Sequence, residues 1–257
     1  MKLVKKDLFK TYLSLLDVDL NAAFEELKEL ILEPHTFTFY TSVSVMSSSK
    51  IEGEQMEIDS YVKHKILNIE YLPELTEKPN DLYKAYLFAK DNSLTKNNFS
   101  EAHMLIALHL LPKHEKGKIR NNEMLVMEHK TMRIQFEAAL ASIVNKEYNQ
   151  LWEEIDSLIE TDLSIEEVFY FAAYIHLVFV NIHPFNDGNG RIGRLLEKWF
   201  LAEKLGERAW YIQSEKHYYQ NVNDYYKNLS RLGIFYDSLN YEKALPFLLM
   251  LPNSLKK

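Results

Sequence analysis

Residues Asn181 to Leu196 read NIHPFNDGNGRIGRLL. The chain has seven glycines, and Gly188, Gly190 and Gly193 fall inside this one stretch, between two apolar helical runs. Upstream, Ser164 followed by Glu167 forms a capping box, and Val168, Phe171, Ala172, Ile175, Val178 and Phe179 recur at helical spacing, the pattern of a buried central helix. Pro184 pushes its neighbour His183 out of the α region and ends that helix. Downstream, Ile192, Leu195, Leu196, Trp199 and Phe200 mark a second amphipathic helix, so Asp187 to Gly190 lies at its N-terminus. Free N–H groups and the positive end of the helix dipole converge there, and glycines let a ligand approach the backbone. The stretch reads as an anion site.

Its side chains carry the same reading. Arg191 and Arg194 lie on one helical face, suitably spaced to clamp neighbouring phosphates. Asp187 can hold a hard divalent cation that shares phosphate oxygens. Asn189 can donate to an oxygen whose charge grows during reaction, and His183, titrating near neutrality, can take a proton from an incoming hydroxyl. Taken singly, these residues would read as a glycine-rich loop with a buried histidine and surface arginines; their joint order is what points to chemistry.

The run His183 to Arg194, HPFNDGNGRIGR, resembles the Fic-domain signature H-x-F-x-[D/E]-G-N-G-R-x-x-R at every fixed position. The resemblance implies an all-α, Fic-type helical bundle with a small β-hairpin flap. It implies an enzyme that transfers AMP from ATP to a Ser, Thr or Tyr hydroxyl of a target protein, with Mg²⁺, releasing pyrophosphate. Carried over by position, His183 is the general base, Asp187 the Mg²⁺ ligand, Asn189 an α-phosphate contact, Gly188 and Gly190 part of the nucleotide loop, and Arg191 and Arg194 the outer phosphate clamps. A kinase-like variant of the family has lysine where this chain has Gly190, so AMP transfer is favoured over terminal phosphate transfer.

Residues Thr36 to Gln55 are ambiguous by local propensity and lean to a strand, through their β-branched residues and the alternation Val43-Ser44-Val45. The resemblance reverses that leaning. Ser48 to Gly53, SSKIEG, matches the [S/T]-x-x-x-E-[G/N] inhibitory motif that one regulatory class of the family carries on a helix. It implies that Ser48, Glu52 and Gly53 are regulatory and that Glu52 pairs with Arg194. Two alternatives stay open: a nucleotide-binding module with little turnover, and removal of AMP from a modified target. A structural interaction protein retaining a relict loop is a third, which an intact His183 argues against.

The remainder sets limits. The 257 residues are 47% hydrophobic and 26% charged, as in an ordinary globule, with net charge −7 and no sign of a nucleic-acid-binding surface. Zero cysteines exclude disulfides and thiolate metal sites and fit a cytoplasmic protein. The N-terminus lacks the apolar core of a signal peptide, and Val168 to Ile182 is read as too short to span a bilayer, so no membrane is expected.

Three regions are expected: an N-terminal helical region 1–92 with the inhibitory segment around 44–55, a Fic domain 93–230 with its signature loop 183–194, and a C-terminal helical end 231–257. Residues 5–33 read as two helices, the second opening near Asp19 or Asn21 and closing before Pro34. Glu57 to Leu67 is a further helix, Asn80 caps Leu82 to Lys90, and Ser100 opens Ala102 to Leu111, with Pro73 and Pro79 in connections. His103, His109 and His176 read as structural.

Residues 119–134 suggest a hairpin turning around Glu128 to Thr131, with Gln135 onward running to a helix. In the family such a flap binds a target protein by adding one of its strands at the flap edge. The aromatic stretch Ser214 to Leu229 offers Asn221 and Tyr225 for the adenine side, a short helix near Tyr241 to Leu251 closes the chain, and homo-oligomerisation is left open.

Overall fold

The computed structural model of the chain describes residues 2–27, 35–127 and 134–256. Two short helices open it, α1 (Phe9–Leu15) and α2 (Leu20–Glu26). Asp19 caps the second, its carboxylate accepting the Ala22 N–H at 3.0 Å. The expected end before Pro34 lies outside the described residues.

The segment that local propensity favours as a strand is the helix α3 (Thr36–Ile51). Its run from Thr41 to Ser49 is buried throughout, five serines included. A helix covered on every side shows no apolar stripe, which is why periodicity could not find it. Ser42 satisfies its hydroxyl by donating to the Thr38 carbonyl at 2.6 Å. Gly53, at φ +92°, turns the chain off the helix end.

Two helices follow, α4 (Ile58–Leu67) and α5 (Pro73–Asp91), and here the expected boundaries need correction. Pro73 starts α5, where a missing N–H costs nothing. Pro79 lies inside the helix rather than in a connection, and Asn80 accepts from Tyr61 Oη at 3.1 Å instead of capping. In α6 (Lys96–Ile106) the cap is Thr95, whose Oγ1 accepts the Asn98 N–H at 3.2 Å. Ser100 lies within α6 and bonds back to the Lys96 carbonyl at 3.1 Å.

The flap is an antiparallel pair, β1 (Leu125–Met127) and β2 (Ile134–Glu137), with Leu125 opposite Glu137, Val126 opposite Phe136, Met127 opposite Ile134, and a bulge between Val126 and Met127. The expected turn at Glu128 to Thr131 lies outside the described residues. Gln135 to Glu137 belong to the second strand, not to the approach to a helix. Glu137 also bridges to Phe235 in parallel, its N–H donating to the Ile234 carbonyl at 2.7 Å.

Next come α7 (Val144–Glu160), α8 (Ile165–Ile182) and α9 (Asn189–Leu205). Both halves of the Ser164–Glu167 capping box are present, and every residue of α8 from Val168 onward is buried. By length and composition α8 could cross a membrane, contrary to the expected shortness, yet 83% of it is buried inside the protein, so its apolar surface is core. Gly193 lets α9 press against α8: a Cβ there would lie 3.0 Å from Val180 Cγ1 and 3.2 Å from Phe179 Cδ1.

The chain ends with α10 (Ser214–Gln220), α11 (Val222–Ser230), α12 (Leu245–Leu248) and α13 (Met250–Asn253). The single terminal helix expected near Tyr241 to Leu251 is thus two. One apolar core takes in Tyr12, Met46, Tyr86, Phe179, Trp199 and Leu248, so N-terminal helices, signature helices and C-terminal turns pack as one body.

Candidate active site

His183 is the C-cap of α8, at φ 52° and ψ 60°. Pro184 forbids the right-handed region, and the residue goes left-handed rather than extended. Its Nδ1 lies 3.1 Å from the Val180 carbonyl, which can only accept, so Nδ1 carries the proton and Nε2 keeps a lone pair. Burial pushes the imidazole pKa down to about 4; the Val180 carbonyl opposes the fall and the Arg120 guanidinium adds to it. The group is therefore a neutral base. The Phe136 ring of β2 stands edge-on to it, centroids 5.6 Å apart.

Arg120, which the sequence reading passed over, fixes that geometry. It is 3% exposed, and its Nε donates to the His183 carbonyl at 2.7 Å. Its Nη groups donate to the carbonyls of Asn122 at 2.6 Å and Ile182 at 3.3 Å, and to that of Ala139. One guanidinium thus joins both feet of the flap to the end of α8.

The loop itself is held from below. Phe185 stacks on His103 with centroids 3.7 Å apart. Gly117 N–H donates to His103 Nδ1 at 3.0 Å, so Nε2 is protonated and donates to the Asp187 carbonyl at 2.9 Å. Burial lowers the His103 pKa to about 4, which keeps this tautomer neutral. His103 is structural, but its structural task is the signature loop. The Asn189 side chain accepts from Phe185 N at 2.9 Å and donates to Phe185 O at 2.7 Å, closing the loop on itself.

Gly188, at φ +79°, caps α9. The first bond within this helix runs from Ile192 N to Gly188 O at 3.0 Å, so the N–H groups of Asn189, Gly190 and Arg191 precede it and point along the axis. The exposed Asp187 accepts the Gly188 N–H at 2.6 Å. Among the described residues no three His, Cys, Asp or Glu side chains form a metal cage. The donor set fits Mg²⁺ nonetheless, since that ion takes one or two carboxylates and completes its shell with water and phosphate oxygens.

Both arginines are buried and engaged by the last turn of α3 and the segment just after it. Arg194 is 1% exposed; its Nε donates to Ser48 Oγ at 2.8 Å, and its Nη2 donates to the Ser48 carbonyl at 3.1 Å and to Glu52 Oε1 at 2.6 Å. Desolvation would lift the Glu52 carboxyl, but the Arg194 and Arg191 guanidiniums outweigh it and hold its pKa below the usual value. Gly190 makes room: a Cβ there would overlap Glu52 Oε1. Arg191 Nη2 donates to Glu54 Oε1 at 3.2 Å.

Tyr225 joins the group through its hydroxyl, 3.4 Å from Arg194 Nη1 and 3.1 Å from His176 Nε2. His176 in turn meets Glu197 at 2.9 Å, so this core histidine supports the second clamp. Tyr226 donates to the Ile51 carbonyl at 3.1 Å. Asn221 stays apart, its exposed side chain donating to the His217 carbonyl at 2.9 Å. Arg120, Glu54 and Tyr226 were missed because two of them act through main-chain groups, and Glu54 lies beyond the end of the run Ser48 to Gly53.

A base, an outward carboxylate, a helix N-terminus and two guanidiniums converge here, and the model of the Fic/DOC family matches residues 93–201, the segment that contains them. Residues 93–201 are thus similar to the Fic/DOC family. A protein adenylyltransferase Fic from Nematostella vectensis is 30% identical over 145 residues, which is 56% of this chain and 30% of that protein. The chain therefore spans under a third of that relative's length.

Among solved structures, a Fic family protein from Desulfovibrio desulfuricans superposes with a TM-score of 0.73 at 20% identity, over 92% of this chain and 70% of that one. A Fic-domain-containing signaling protein from Bacteroides thetaiotaomicron does so with 0.69 at 19%, over 92% and 91% of the two chains. At these identities the likeness is one of fold: a helical Fic bundle with a two-stranded flap.

Proposed function

We propose that this Fic domain transfers AMP from ATP to a Ser, Thr or Tyr hydroxyl of a target protein and rests in an inhibited state with Glu52 on Arg194. The observation that carries the reading is the half-buried, neutral His183, whose Nδ1 proton is tied to Val180 so that Nε2 keeps its lone pair. Binding a nucleotide does not need such a base; deprotonating a nucleophile does.

In the proposed reaction the target hydroxyl oxygen attacks the α-phosphorus and its proton passes to His183 Nε2. The new P–O bond forms as the bond to the α,β-bridging oxygen breaks, and pyrophosphate leaves in line. The free N–H groups of α9 hold the charge growing on the α-phosphate oxygens, and Arg191 and Arg194 orient the outer phosphates. Asp187 would hold Mg²⁺, which supplies charge neutralisation at the α- and β-phosphates when bound. Gly190 keeps the approach to the backbone open, which favours AMP transfer over terminal phosphate transfer.

The target docks at the flap edge in this reading, and the cytoplasm is the proposed compartment. A second reading draws on the closed Glu52–Arg194 pair: a nucleotide-binding module with little turnover, or an enzyme that removes AMP, with Glu52 directing a water. Incubation with α-labelled ATP separates them. Label on protein supports transfer, retained nucleotide without label supports the module, and release of AMP from a prelabelled protein supports removal.

A further inference from the structure

Glu54 lies just past the helix-ending Gly53, and its Oε1 accepts from two cations at once, Arg191 Nη2 at 3.2 Å and Lys78 Nζ at 3.0 Å. Lys78 comes from α5, far in sequence from the signature run. Arg191 is 4% exposed, and its Nε is buried without a hydrogen-bond partner among the described residues. A carboxylate matched to arginine engages the fork with both oxygens. This one meets Arg191 through a single oxygen and leaves a buried donor empty.

The arrangement suits an anion whose oxygens spread in three dimensions rather than in a plane. A phosphoryl group can take Nε and Nη2 of Arg191 through two oxygens while Lys78, a point charge on a flexible stem, reaches the third. Glu54 Oε1 marks where one such oxygen would lie.

We propose that Arg191 and Lys78 form a subsite for an outer phosphate of the nucleotide, and that Glu54 fills it in the resting protein. The proposal rests on the nucleotide reading above. The turn Glu52-Gly53-Glu54 then delivers two carboxylates to a polyphosphate site, Glu52 beside Arg194 and Glu54 between Arg191 and Lys78. Removing Glu52 alone leaves half the site occupied. Lys78 is 40% exposed, and were this only a surface ion pair it would contribute little and shape no ligand affinity.

The test is calorimetric titration of the Glu52→Gly protein with Mg·ATP and, separately, with inorganic triphosphate. Adding Glu54→Gln should tighten both by about threefold or more, Lys78→Ala should weaken both by about threefold or more, and Lys78→Arg should stay near the background, each tenfold being about 1.4 kcal/mol. A second readout guards against damage to the fold: triphosphate should raise the melting temperature most in Glu54→Gln, because the ligand then supplies the anion that Arg191 lacks. Unchanged or weaker triphosphate binding by Glu54→Gln overturns the subsite, as does Lys78→Ala within twofold of background. If Glu52→Gly binds neither ligand, the nucleotide reading falls and the subsite with it; binding indifferent to both changes removes the subsite alone.

Discussion

Glu52 and Arg194 meet through one short contact, Oε1 to Nη2 at 2.6 Å, and the carboxylate lies where a side chain on Gly190 would have to be. In the proposed reaction this contact withholds the cation from the outer phosphate, and the negative charge beside it repels that phosphate. Glu52→Gly should raise labelling from α-labelled ATP by at least roughly tenfold, about 1.4 kcal/mol of barrier. Adding Arg194→Ala should cancel the gain. Equal labelling by the parent protein and Glu52→Gly, at matched stability and saturating Mg²⁺, would show that this contact is not the brake.

The same geometry makes Gly190 and Glu52 energetically coupled. A methyl group in Gly190→Ala would drive the carboxylate off Arg194 and leave a buried guanidinium short of its anion, so the variant should lose on the order of 1–3 kcal/mol. In a Glu52→Gly background that loss should largely vanish, a coupling of roughly 1–2 kcal/mol in a double-mutant cycle read by denaturant unfolding. Additive losses would place the strain elsewhere.

Two histidines, His103 buried and His183 half-buried, govern the acid side. His183 and His103 have pKa values lowered from 6.5 to about 4 by burial, so the unfolded chain binds more protons than the folded one between those values. Their stabilising share is complete above pH 6.5 and is lost as pH falls towards 4, with a slope of about 1.4 kcal/mol per pH unit for each. Melting curves across that window should show it, and His103→Asn should reduce the slope by about one proton. His183→Ala should abolish AMP transfer while leaving ATP binding nearly intact, and Asp187→Ala should remove the activity together with its Mg²⁺ dependence. Transfer retained within about threefold in His183→Ala, or unaffected by chelator in the parent protein, would count against these roles.

Arg120 offers a test of how the base is held. Its guanidinium answers four main-chain carbonyls at the junction of flap and α8. Arg120→Met strands several buried acceptors and should cost more than about 2 kcal/mol of stability, and Arg120→Lys should recover only part, because an ammonium cannot span the same carbonyls. Stability of Arg120→Met within about 0.5 kcal/mol of the parent would rule out the staple.

The signature loop could be read before the structure because its chemistry is contiguous: Pro184 ends one helix, Gly188 starts the next, and the reactive side chains lie between. The all-helical class followed from α8 and from the family resemblance. What local pattern could not supply is α3, whose enclosure by other elements removes the polar face that makes a helix recognisable. Pro79 misled because a proline inside α5 looks the same in sequence as one between helices. Arg120 left no trace, and His103 could be read only as structural, because their partners are backbone groups, which every residue possesses. Lys78 joined the site only when folding brought α5 against the end of α3.

The burial of α3 has a consequence for how such a brake can evolve and be released. Ser44 on α3 accepts from Lys198 of α9 at 2.8 Å, and that lysine also pairs with the fully enclosed Glu215 of α10 at 2.6 Å, so α3 shares its anchorage with α9 and α10. Deleting α3 would dismantle the fold rather than release the proposed brake. The parts proposed to move are the Glu52 and Glu54 carboxylates, whose side chains can change rotamer on a timescale far shorter than any helix can unfold. Under the proposed function, control becomes a contest between Glu52 and a phosphate for the same guanidinium, set by relative affinity and nucleotide concentration, and a single substitution just past α3 should retune it.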